Sequence, residues 1–462
     1  MKVLLVQPPV EDFYTTPIRL YPLGLLYAAS VLEGAGAEVE ILDCLTPLRK
    51  RQIPVPPSFS HLPPVDQIPY FFKGYYRFGL SDEDILRRVS AFAPDLIGIS
   101  SQFTAYYESV ERLARLIKGH SRAPVFIGGH HATVFAPEIR RRTPEIDFVL
   151  EGPAERCLPG FLKTRGVEPP AKKRRNGAAS DAEGSIPDWR KLQPAHHLLN
   201  GTDYRIGRQN SISLIASRGC PYGCEFCGVH RMFGRKIEYR EVDAVVEEMR
   251  RNYQLKGARI FNFEDDNLSF DREWFLKFLE AVAADTTLRA AELTAMNGLC
   301  HNTLDPEVLE AMKGTGFREL NVSLVTASQK LQDAFRRPYE IDRFDKFSSL
   351  VKEARRLSFF VTAYVIIGLP GQTFAEAKAT IDELLALDVL VGPSVFYLAP
   401  GSPMLDRLDI PRAIKEDWNL YRSSAFAVET PDLSRAQLLE LFSYARQKNL
   451  ERKATRKTSP IL

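Results

Sequence analysis

The chain has 462 residues, of which 45% are hydrophobic and 26% are charged, a composition typical of a globular protein with two or three domains. Its 61 Lys and Arg residues nearly balance its 58 Asp and Glu residues, which argues against nucleic acid or an anionic membrane as a partner. No apolar run approaches the roughly 20 residues that span a bilayer, and no signal peptide is evident. We therefore expect a cytoplasmic protein without disulfides.

The first part of the chain alternates short apolar runs with helical patterns. Lys2–Gln7 is a continuous apolar run of the kind that a buried parallel strand shows. Similar runs occur at Glu38–Asp43, Asp95–Ser100, Pro124–Gly129 and Ile146–Leu150, with helical patterns at Leu23–Gly34, Ser81–Phe92 and Tyr107–Lys118. This alternation predicts an α/β fold that begins with a doubly wound, Rossmann-like parallel sheet, whose ligands would bind at the carboxyl ends of the strands.

Small and polar residues follow the predicted strands at that edge. They are Gln7 and Pro8, Ser100 and Ser101, Gly128 and Gly129, and Glu151 and Gly152. Because glycine has no side chain, the glycine pair allows a ligand to approach the backbone closely. The sequence therefore predicts a binding groove along this edge.

Two irregular segments interrupt the pattern. Residues 46–80 are rich in proline and aromatic residues, and we interpret them as a lid or docking loop whose individual aromatic side chains pack on the surface. Residues 168–184 have the composition of an interdomain linker and contain the basic run Lys172–Arg175. No aromatic residues are interleaved with that run, so we interpret it as solvated rather than as a nucleic-acid site.

The next part of the chain contains strand–helix units that predict a partial barrel. The predicted strands are Ile212–Ala216, Arg259–Phe263, Glu292–Ala295, Glu319–Leu324, Phe359–Ile367 and Ser394–Leu398. A complete eight-stranded barrel would need more chain, so we predict a partial (β/α)6 TIM-like barrel followed by a small helical C-terminal region. At the carboxyl ends of the strands the sequence places Glu264-Asp265-Asp266-Asn267, Asn297-Gly298 and Gly368-Leu369-Pro370-Gly371.

A cysteine-rich loop follows the first of these strands. Cys220, Cys224 and Cys227 form a C-x3-C-x2-C run, and three thiolates on one loop can hold three irons of a cubane iron–sulfur cluster. The fourth iron would be left open to a small molecule. A structural zinc site with His230 as the fourth ligand remains an alternative. The remaining cysteines, Cys44, Cys157 and Cys300, are scattered and read as core residues.

This loop, with Phe226 before its last cysteine, resembles the radical S-adenosylmethionine (SAM) superfamily. The preceding edge motifs resemble the cobalamin-binding domain found N-terminal to one branch of that family. The resemblance implies that the open iron chelates SAM and that one-electron reduction, by an external flavodoxin- or ferredoxin-like protein, cleaves SAM to a 5′-deoxyadenosyl radical. A [4Fe–4S] cluster, SAM and cobalamin are the implied cofactors.

The resemblance also implies roles for individual residues. The implied SAM contacts are Phe226, Glu264, Asp265, Asp266, Gly368 and Pro370, and the implied cobalamin contacts are Gln7, Pro8, Ser100, Ser101, Gly128, Gly129, Glu151 and Gly152. The first histidine is His61, so no cobalt-ligating histidine follows the first strand, and we expect base-off cobalamin without histidine ligation. The fourth barrel strand lacks the family's acidic residue and reads Ser323-Leu324-Val325-Thr326, and Gln372 stands where the family often has glutamate.

From these features we predict a cobalamin-binding-like domain at residues 1–165, a linker at 166–205, a radical SAM barrel at 206–405 and a helical region at 406–462. The predicted activity is cobalamin-dependent methylation of an unactivated centre in a small molecule. Two alternatives remain open. One is a radical SAM enzyme that catalyses a rearrangement, cyclisation or oxidation and has a vestigial cobalamin domain, and the other is a non-catalytic iron–sulfur protein.

Overall fold

The computed structural model describes residues 1–16, 21–64, 67–166, 187–200, 204–337 and 344–455. The chain forms two compact units, one of Met1–Glu11, Pro17–Gln52 and Tyr76–Asn200, and one of Asp12–Thr16, Ile53–Tyr75 and Gly201–Leu462. The basic run Lys172–Arg175 lies outside the described residues. Within the described ranges, no helix combines the length and the apolar composition that crossing a bilayer requires.

The described part of residues 1–166 contains eight strands and six α-helices. The strands are β1 (Lys2–Gln7), β2 (Val10–Asp12), β3 (Glu38–Asp43), β4 (Lys50–Ile53), β5 (Tyr75–Phe78), β6 (Leu96–Ser100), β7 (Val125–Gly128) and β8 (Phe148–Val149). The helices are α1 (Leu23–Gly34), α2 (Asp82–Phe92), α3 (Tyr107–Lys118), α4 (His130–Val134), α5 (Ala136–Arg142) and α6 (Ala154–Thr164).

Five of these strands form the parallel sheet of the first unit, in the order β3-β1-β6-β7-β8. The predicted doubly wound parallel sheet is therefore confirmed. Successive strands are added on one side of β1 first (β3) and then on its other side (β6, β7 and β8). Sheets of this kind bind ligands in the crevice at the carboxyl ends of the two strands where the order switches, here β1 and β6. Gly98 in β6 fits the crowded centre of the sheet, because a Cβ there would lie 2.3 Å from the ring of Phe126.

The second unit contains the remaining strands and helices. The strands are β9 (Arg205–Ile206), β10 (Gln209–Leu214), β11 (Ser217–Arg218), β12 (Glu238–Tyr239), β13 (Ile260–Phe263), β14 (Glu292–Thr294), β15 (Leu299–Cys300), β16 (Glu319–Val325), β17 (Phe360–Ile367) and β18 (Leu390–Val395). The helices are α7 (His230–Phe233), α8 (Val242–Leu255), α9 (Arg272–Ala284), α10 (Pro306–Gly314), α11 (Gln329–Ala334), α12 (Phe344–Arg356), α13 (Phe374–Ala386), α14 (Pro403–Arg407), α15 (Arg412–Glu416) and α16 (Arg435–Thr455).

The long parallel strands of this unit belong to two sheets, β9-β10-β13-β14 and β15-β16-β17-β18. A single parallel bridge between Leu293 and Phe317 links β14 to the segment that leads into β16. The last strand was predicted at Ser394–Leu398, but it lies at Leu390–Val395. Its Gly392 and Pro393 disfavour a strand in the sequence, yet β18 pairs only with β17 among the described strands, and an edge strand tolerates proline.

The aromatic residues of segment 46–80 were expected on the surface, and for most of them this prediction is wrong. Phe59, Phe71, Phe72 and Tyr75 are at most 5% exposed. They pack with aromatic residues of the C-terminal part, since the ring centroid of Phe71 lies 5.4 Å from that of Phe426 and that of Phe72 lies 5.8 Å from that of Phe442. Within this segment, Ile53–Tyr75 therefore contributes to the core of the second unit.

Candidate functional site

The cysteine loop leaves β10 and is closed at its base by the antiparallel pair β11 and β12. All six cysteines of the chain are thiols; Cys224 is buried, and Cys220 and Cys227 are partly buried. The side-chain amide of Asn267 lies 3.7 Å from the sulfur of Cys220. The three thiols predicted to bind a cluster therefore share one loop at the carboxyl end of the first long strand.

Two glycines allow this loop to pass against neighbouring backbone. Gly219 has φ +85°, and a Cβ there would lie 2.2 Å from the carbonyl oxygen of Lys236. A Cβ on Gly228 would lie 2.2 Å from the carbonyl oxygen of Pro400. Since real Cβ atoms do not approach backbone so closely, both ends of the cysteine run require glycine.

Three thiols on one loop are the donor set that a cubane cluster with one open iron requires. Among the described residues, no three His, Cys, Asp or Glu side chains are gathered closely enough to hold one metal ion, as zinc with His230 would require. A cubane places each cysteine on a different iron, so its thiolates lie further apart. Burial raises the pKa of the Cys227 thiol to about 12, so metal binding there must displace a proton.

The three acids after β13 point to different tasks. Asp265 is 4% exposed and accepts hydrogen bonds from the amide of Ala216 at 3.1 Å and from the hydroxyl of Ser217 at 2.6 Å, as well as from the Ser217 amide. Asp266 is exposed and accepts from the amide of Gly219 at 3.0 Å. Both carboxylates therefore hold the backbone that leads into the cysteine loop.

Burial raises the pKa of Asp265 to about 7, although the hydrogen bonds from Ser217 and Ala216 act in the opposite direction. Glu264 lies at the same strand end, and its carboxylate accepts a hydrogen bond of 2.6 Å from the side-chain amide of Asn262. Unlike Asp265, it is only partly buried. Asp265 and Asp266 thus bind the backbone that leads into the loop, whereas Glu264 contacts the side chain of Asn262.

The turn after β17 is held by the residue that departs from the family pattern. Gly368 has φ +90°, and its amide donates to the side-chain carbonyl oxygen of Gln372 at 2.7 Å. Gln372 is 1% exposed. A glutamate carboxylate could accept the same hydrogen bond, so this departure preserves the turn that carries Gly368 and Pro370.

The end of β16 is irregular where the family carries its acidic residue. Val325 is buried and has φ +73°, a conformation that is strained for a β-branched residue, and the pairing with β17 shifts register between Ser323 and Val325. Arg337 donates to the carbonyl oxygen of Ser323 at 3.3 Å. Arg337 is 6% exposed, so it is not a surface arginine.

Sequence reasoning did not identify two other residues that support the cysteine loop. Arg240 follows β12, is 1% exposed, and donates to Glu248 at 2.5 Å and to the carbonyl oxygen of Ile215 at 3.1 Å. Ser217 supplies both its amide and its hydroxyl to Asp265. Neither has a local sequence signal, because their partners are distant in the chain or are backbone atoms.

The first unit brings several predicted cobalamin residues together at its ligand-binding edge. The amide of Ser101 donates to the carbonyl oxygen of Gly128 at 2.8 Å, and Gly129 has φ +123°. A Cβ on Gly129 would lie 2.7 Å from the carbonyl oxygen of Ser101. The Ser101 hydroxyl is buried without a hydrogen-bond partner among the described residues, and this polar atom beside a glycine cradle fits a polar cofactor.

The other predicted cobalamin residues lie at the ends of neighbouring strands. Gln7 ends β1 and Pro8 follows it, and Ser100 ends β6. The amide of Gly152 donates to the hydroxyl of Thr133 at 3.0 Å, and Glu151 pairs with Arg140 at 2.8 Å. Pro8 is buried, whereas Glu151 is exposed.

Behind this edge lies a buried histidine that affects acid stability. His131 is fully buried, its Nδ1 lies 2.9 Å from the hydroxyl of Thr104, and its ring lies 4.6 Å from that of Tyr107. Burial, with His130 and Arg142 nearby, lowers the pKa of His131 from 6.5 to about 3. The unfolded chain therefore takes up a proton that the folded chain does not.

We expect the contribution of His131 to stability to be complete above pH 6.5 and to be lost as the pH falls toward 3. Between pH 7.5 and 4.5 the loss is about 3 kcal/mol of the free energy of unfolding. His131→Phe keeps the ring but removes the titration, so its free energy of unfolding should fall less over that interval. Urea unfolding at several pH values, monitored by hydrogen exchange of the amides in β6 and β7, measures the free energy of unfolding of both proteins. The same pH dependence in the parent and in His131→Phe would contradict the prediction.

Comparison with known proteins bears on both units. The family model of the radical SAM superfamily matches residues 214–384, and that of the B12 binding domain matches residues 72–162. The chain therefore combines a radical SAM domain with a B12 binding domain. It is a cobalamin-dependent radical SAM enzyme whose cofactors are a [4Fe–4S] cluster, SAM and cobalamin. The first match contains the cysteine loop and the second contains Ser101 and Gly129, whereas Gln7 and Pro8 precede it.

The relatives of this radical SAM enzyme catalyse more than one reaction. Cytidylyl-2-hydroxyethylphosphonate methyltransferase from Streptomyces wedmorensis is 29% identical over 434 residues, covering 82% of this chain and 76% of that protein. Anaerobic magnesium-protoporphyrin IX monomethyl ester cyclase from Cereibacter sphaeroides is 24% identical over 66% of this chain and 50% of its own length. The radical SAM methyltransferase TsrM from Kitasatospora setae, with tryptophan and a SAM analogue bound, matches 96% of this chain and 88% of its own at 18% identity, with a TM-score of 0.66, and shares the fold.

Proposed function

We propose that this enzyme is a cobalamin-dependent methyltransferase that acts on an unactivated centre of a small molecule. The observation that carries the proposal is the presence of both family models in one chain, together with a phosphonate methyltransferase relative that aligns with 82% of it. We propose the domains predicted from the sequence, with the six long parallel strands forming a partial barrel and a small helical region following it. A cytoplasmic location suits an oxygen-sensitive cluster.

The residues that we propose as ligands of the cluster and of SAM lie in the second unit. Cys220, Cys224 and Cys227 hold three irons of the [4Fe–4S] cluster. When bound, the cluster and SAM together supply the 5′-deoxyadenosyl radical. Glu264 receives the ammonium group of SAM, because a carboxylate in a partly buried site pairs well with a cation.

Two further segments are proposed to form the walls of the SAM site. The Gly368–Pro370 turn, held by Gln372, packs against adenine, and Phe226 forms part of the wall next to the last cysteine. Asp265 and Asp266 were predicted as SAM contacts. Their hydrogen bonds to Ser217 and Gly219 instead support a positioning task, in which they hold the cysteine loop against the strand end.

For cobalamin, we propose the groove between the ends of β1 and β6, with Ser100, Ser101 and the Gly128–Gly129 pair against the nucleotide tail and Gln7, Pro8, Glu151 and Gly152 at the strand ends beside them. When bound, cobalamin supplies the methyl group that is transferred. The cofactor binds base-off without a histidine ligand. His61 supports this, because it belongs to the second unit and its Nε2 lies 2.8 Å from the carbonyl oxygen of Ala425.

A second candidate function has support from one relative. The magnesium-protoporphyrin cyclase aligns with 66% of this chain and is not named as a methyltransferase. Radical chemistry that closes or rearranges a ring is therefore the alternative, with SAM used only as the radical source.

One experiment distinguishes the two. The protein, purified anaerobically from cells supplied with cobalamin, is reduced with dithionite and given SAM with a labelled methyl group and a panel of small phosphonates and aromatic amino acids. We expect near-stoichiometric cobalt, deoxyadenosine and transfer of label to one member of the panel. Deoxyadenosine without bound cobalt favours the alternative, and a reduced cluster that never cleaves SAM overturns both.

A further inference from the structure

Five exposed cationic side chains surround the cysteine loop, and we call them the cationic patch. They are Arg231, Arg235, Lys236, Arg336 and Arg407. The side chains of Arg336 and Arg407 are 71% and 59% exposed. The patch draws on the segment that follows the loop, on the turn after α11 and on α14.

The patch lies directly against the backbone of the loop. Nη1 of Arg235 lies 2.9 Å from where a Cβ on Gly223 would be, between the first two cysteines. Arg336 and Arg407 both bind the carboxylate of Glu225, which lies between the last two cysteines and is 4% exposed. The side chain of Arg231 packs on Gly401, next to the backbone that contacts the end of the loop.

The charge of this patch is not balanced locally. Residues 229–237 contain three cations and no acid, and Arg231, Arg235 and Lys236 form no ion pair with a described residue. Glu225 is one carboxylate shared by two guanidinium groups. Within residues 229–237 these three positive charges are therefore not offset, although the whole chain carries only +3.

A positive surface at this place suits the delivery of electrons. Reductive cleavage of SAM needs one electron from outside the chain for each turnover, so this step rests on the proposed function. A carrier must dock close to the cluster, and the exposed side chains of Arg235 and Arg336 contact the loop directly, at Gly223 and Glu225. Complementary charge accelerates such encounters and suits the small, transient interfaces of electron-transfer partners.

We propose that the cationic patch is the docking surface for an acidic one-electron carrier protein. In the docked complex the carrier loses one electron and the cluster gains it, with no transfer of atoms. The unpaired cations Arg231, Arg235 and Lys236 attract the acidic face of the carrier. Arg336 and Arg407 hold the loop through Glu225 and extend the positive surface.

The test uses the full chain with its cofactors and the triple variant Arg231→Gln, Arg235→Gln, Lys236→Gln. Deoxyadenosine formation is measured with an acidic flavodoxin, kept reduced by its reductase, and separately with dithionite. We expect kcat/KM for flavodoxin to fall about tenfold or more and its salt dependence to flatten. The rate with dithionite and the iron content should stay within about twofold of the parent protein, because these side chains do not bind the cofactors.

A matched control removes three other exposed cations of the same unit, in the variant Arg251→Gln, Lys277→Gln, Arg289→Gln, and should leave both rates unchanged. Equal losses with flavodoxin and dithionite would overturn the proposal, as would an unchanged flavodoxin rate. So would competition by a short RNA duplex that binds the parent and not the patch variant, because the patch would then be a nucleic-acid surface. Failure of the parent to cleave SAM with dithionite refutes the proposed function itself.

Discussion

Simultaneous replacement of Cys220, Cys224 and Cys227 by alanine is expected to remove the iron–sulfur cluster and with it all cleavage of SAM. Each thiol would hold a different iron, so without the three thiolates the loop offers the cluster no cysteine ligand. Iron and sulfide per chain, which we expect near four each for a cubane in the parent, should fall to the background of the buffer. Deoxyadenosine formation should fall to the level measured without protein.

The control for this experiment is Cys300→Ala, which removes another buried thiol of the same unit. Its cluster content should match that of the parent. Retention of iron and sulfide in the triple variant would contradict the assignment of the loop. Loss of the cluster in Cys300→Ala would mean that the site tolerates no change in its surroundings, and single Cys→Ser variants would then be needed to identify the ligands.

Gly129→Ala is expected to weaken cobalamin binding while SAM cleavage continues. The new Cβ would lie 2.7 Å from the carbonyl oxygen of Ser101, and the φ of +123° is itself unfavourable for alanine. Strain of this kind costs of the order of 1–3 kcal/mol, which corresponds to about a 5- to 150-fold loss of affinity if the groove must keep its shape to bind. Cobalt content and methyl transfer should fall together, whereas deoxyadenosine release should persist.

Gly24→Ala is the matched control, because a Cβ at this position in α1 meets no atom within 4 Å. It should retain cobalt and methyl transfer and be as stable as the parent or slightly more stable. Circular dichroism of both variants reports whether the first unit is folded. Full cobalt content in a folded Gly129→Ala protein would contradict the placement of the groove.

Features with local causes were predictable from the sequence. The strands of the first sheet could be recognised because buried parallel strands are continuously apolar, and the cysteine loop because its ligands lie within eight residues. The division of work among the acids after β13 could not be predicted, because the partner of Asp265 is Ser217, 48 residues earlier. Three acids in a row look equivalent until their hydrogen-bond partners are known.

The last strand and the aromatic segment were misplaced for a related reason. Gly392 and Pro393 are poor strand residues by themselves, and only the position of β18 at the edge of its sheet makes them tolerable. The aromatic side chains of segment 46–80 looked like surface residues because their partners in the core, such as Phe426 and Phe442, occur more than 300 residues later. Long-range packing of this kind leaves no periodic pattern in the sequence.

That aromatic core has a consequence for how the polypeptide is made and divided. The second unit includes Asp12–Thr16 and Ile53–Tyr75. The aromatic residues of these segments therefore emerge from the ribosome long before the C-terminal helix α16, which packs against them, has been synthesised. The nascent chain must keep them from aggregating in the meantime. For the same reason, a fragment that begins at residue 201 would lack part of its own interior, and the two units could not be exchanged between proteins by a single cut.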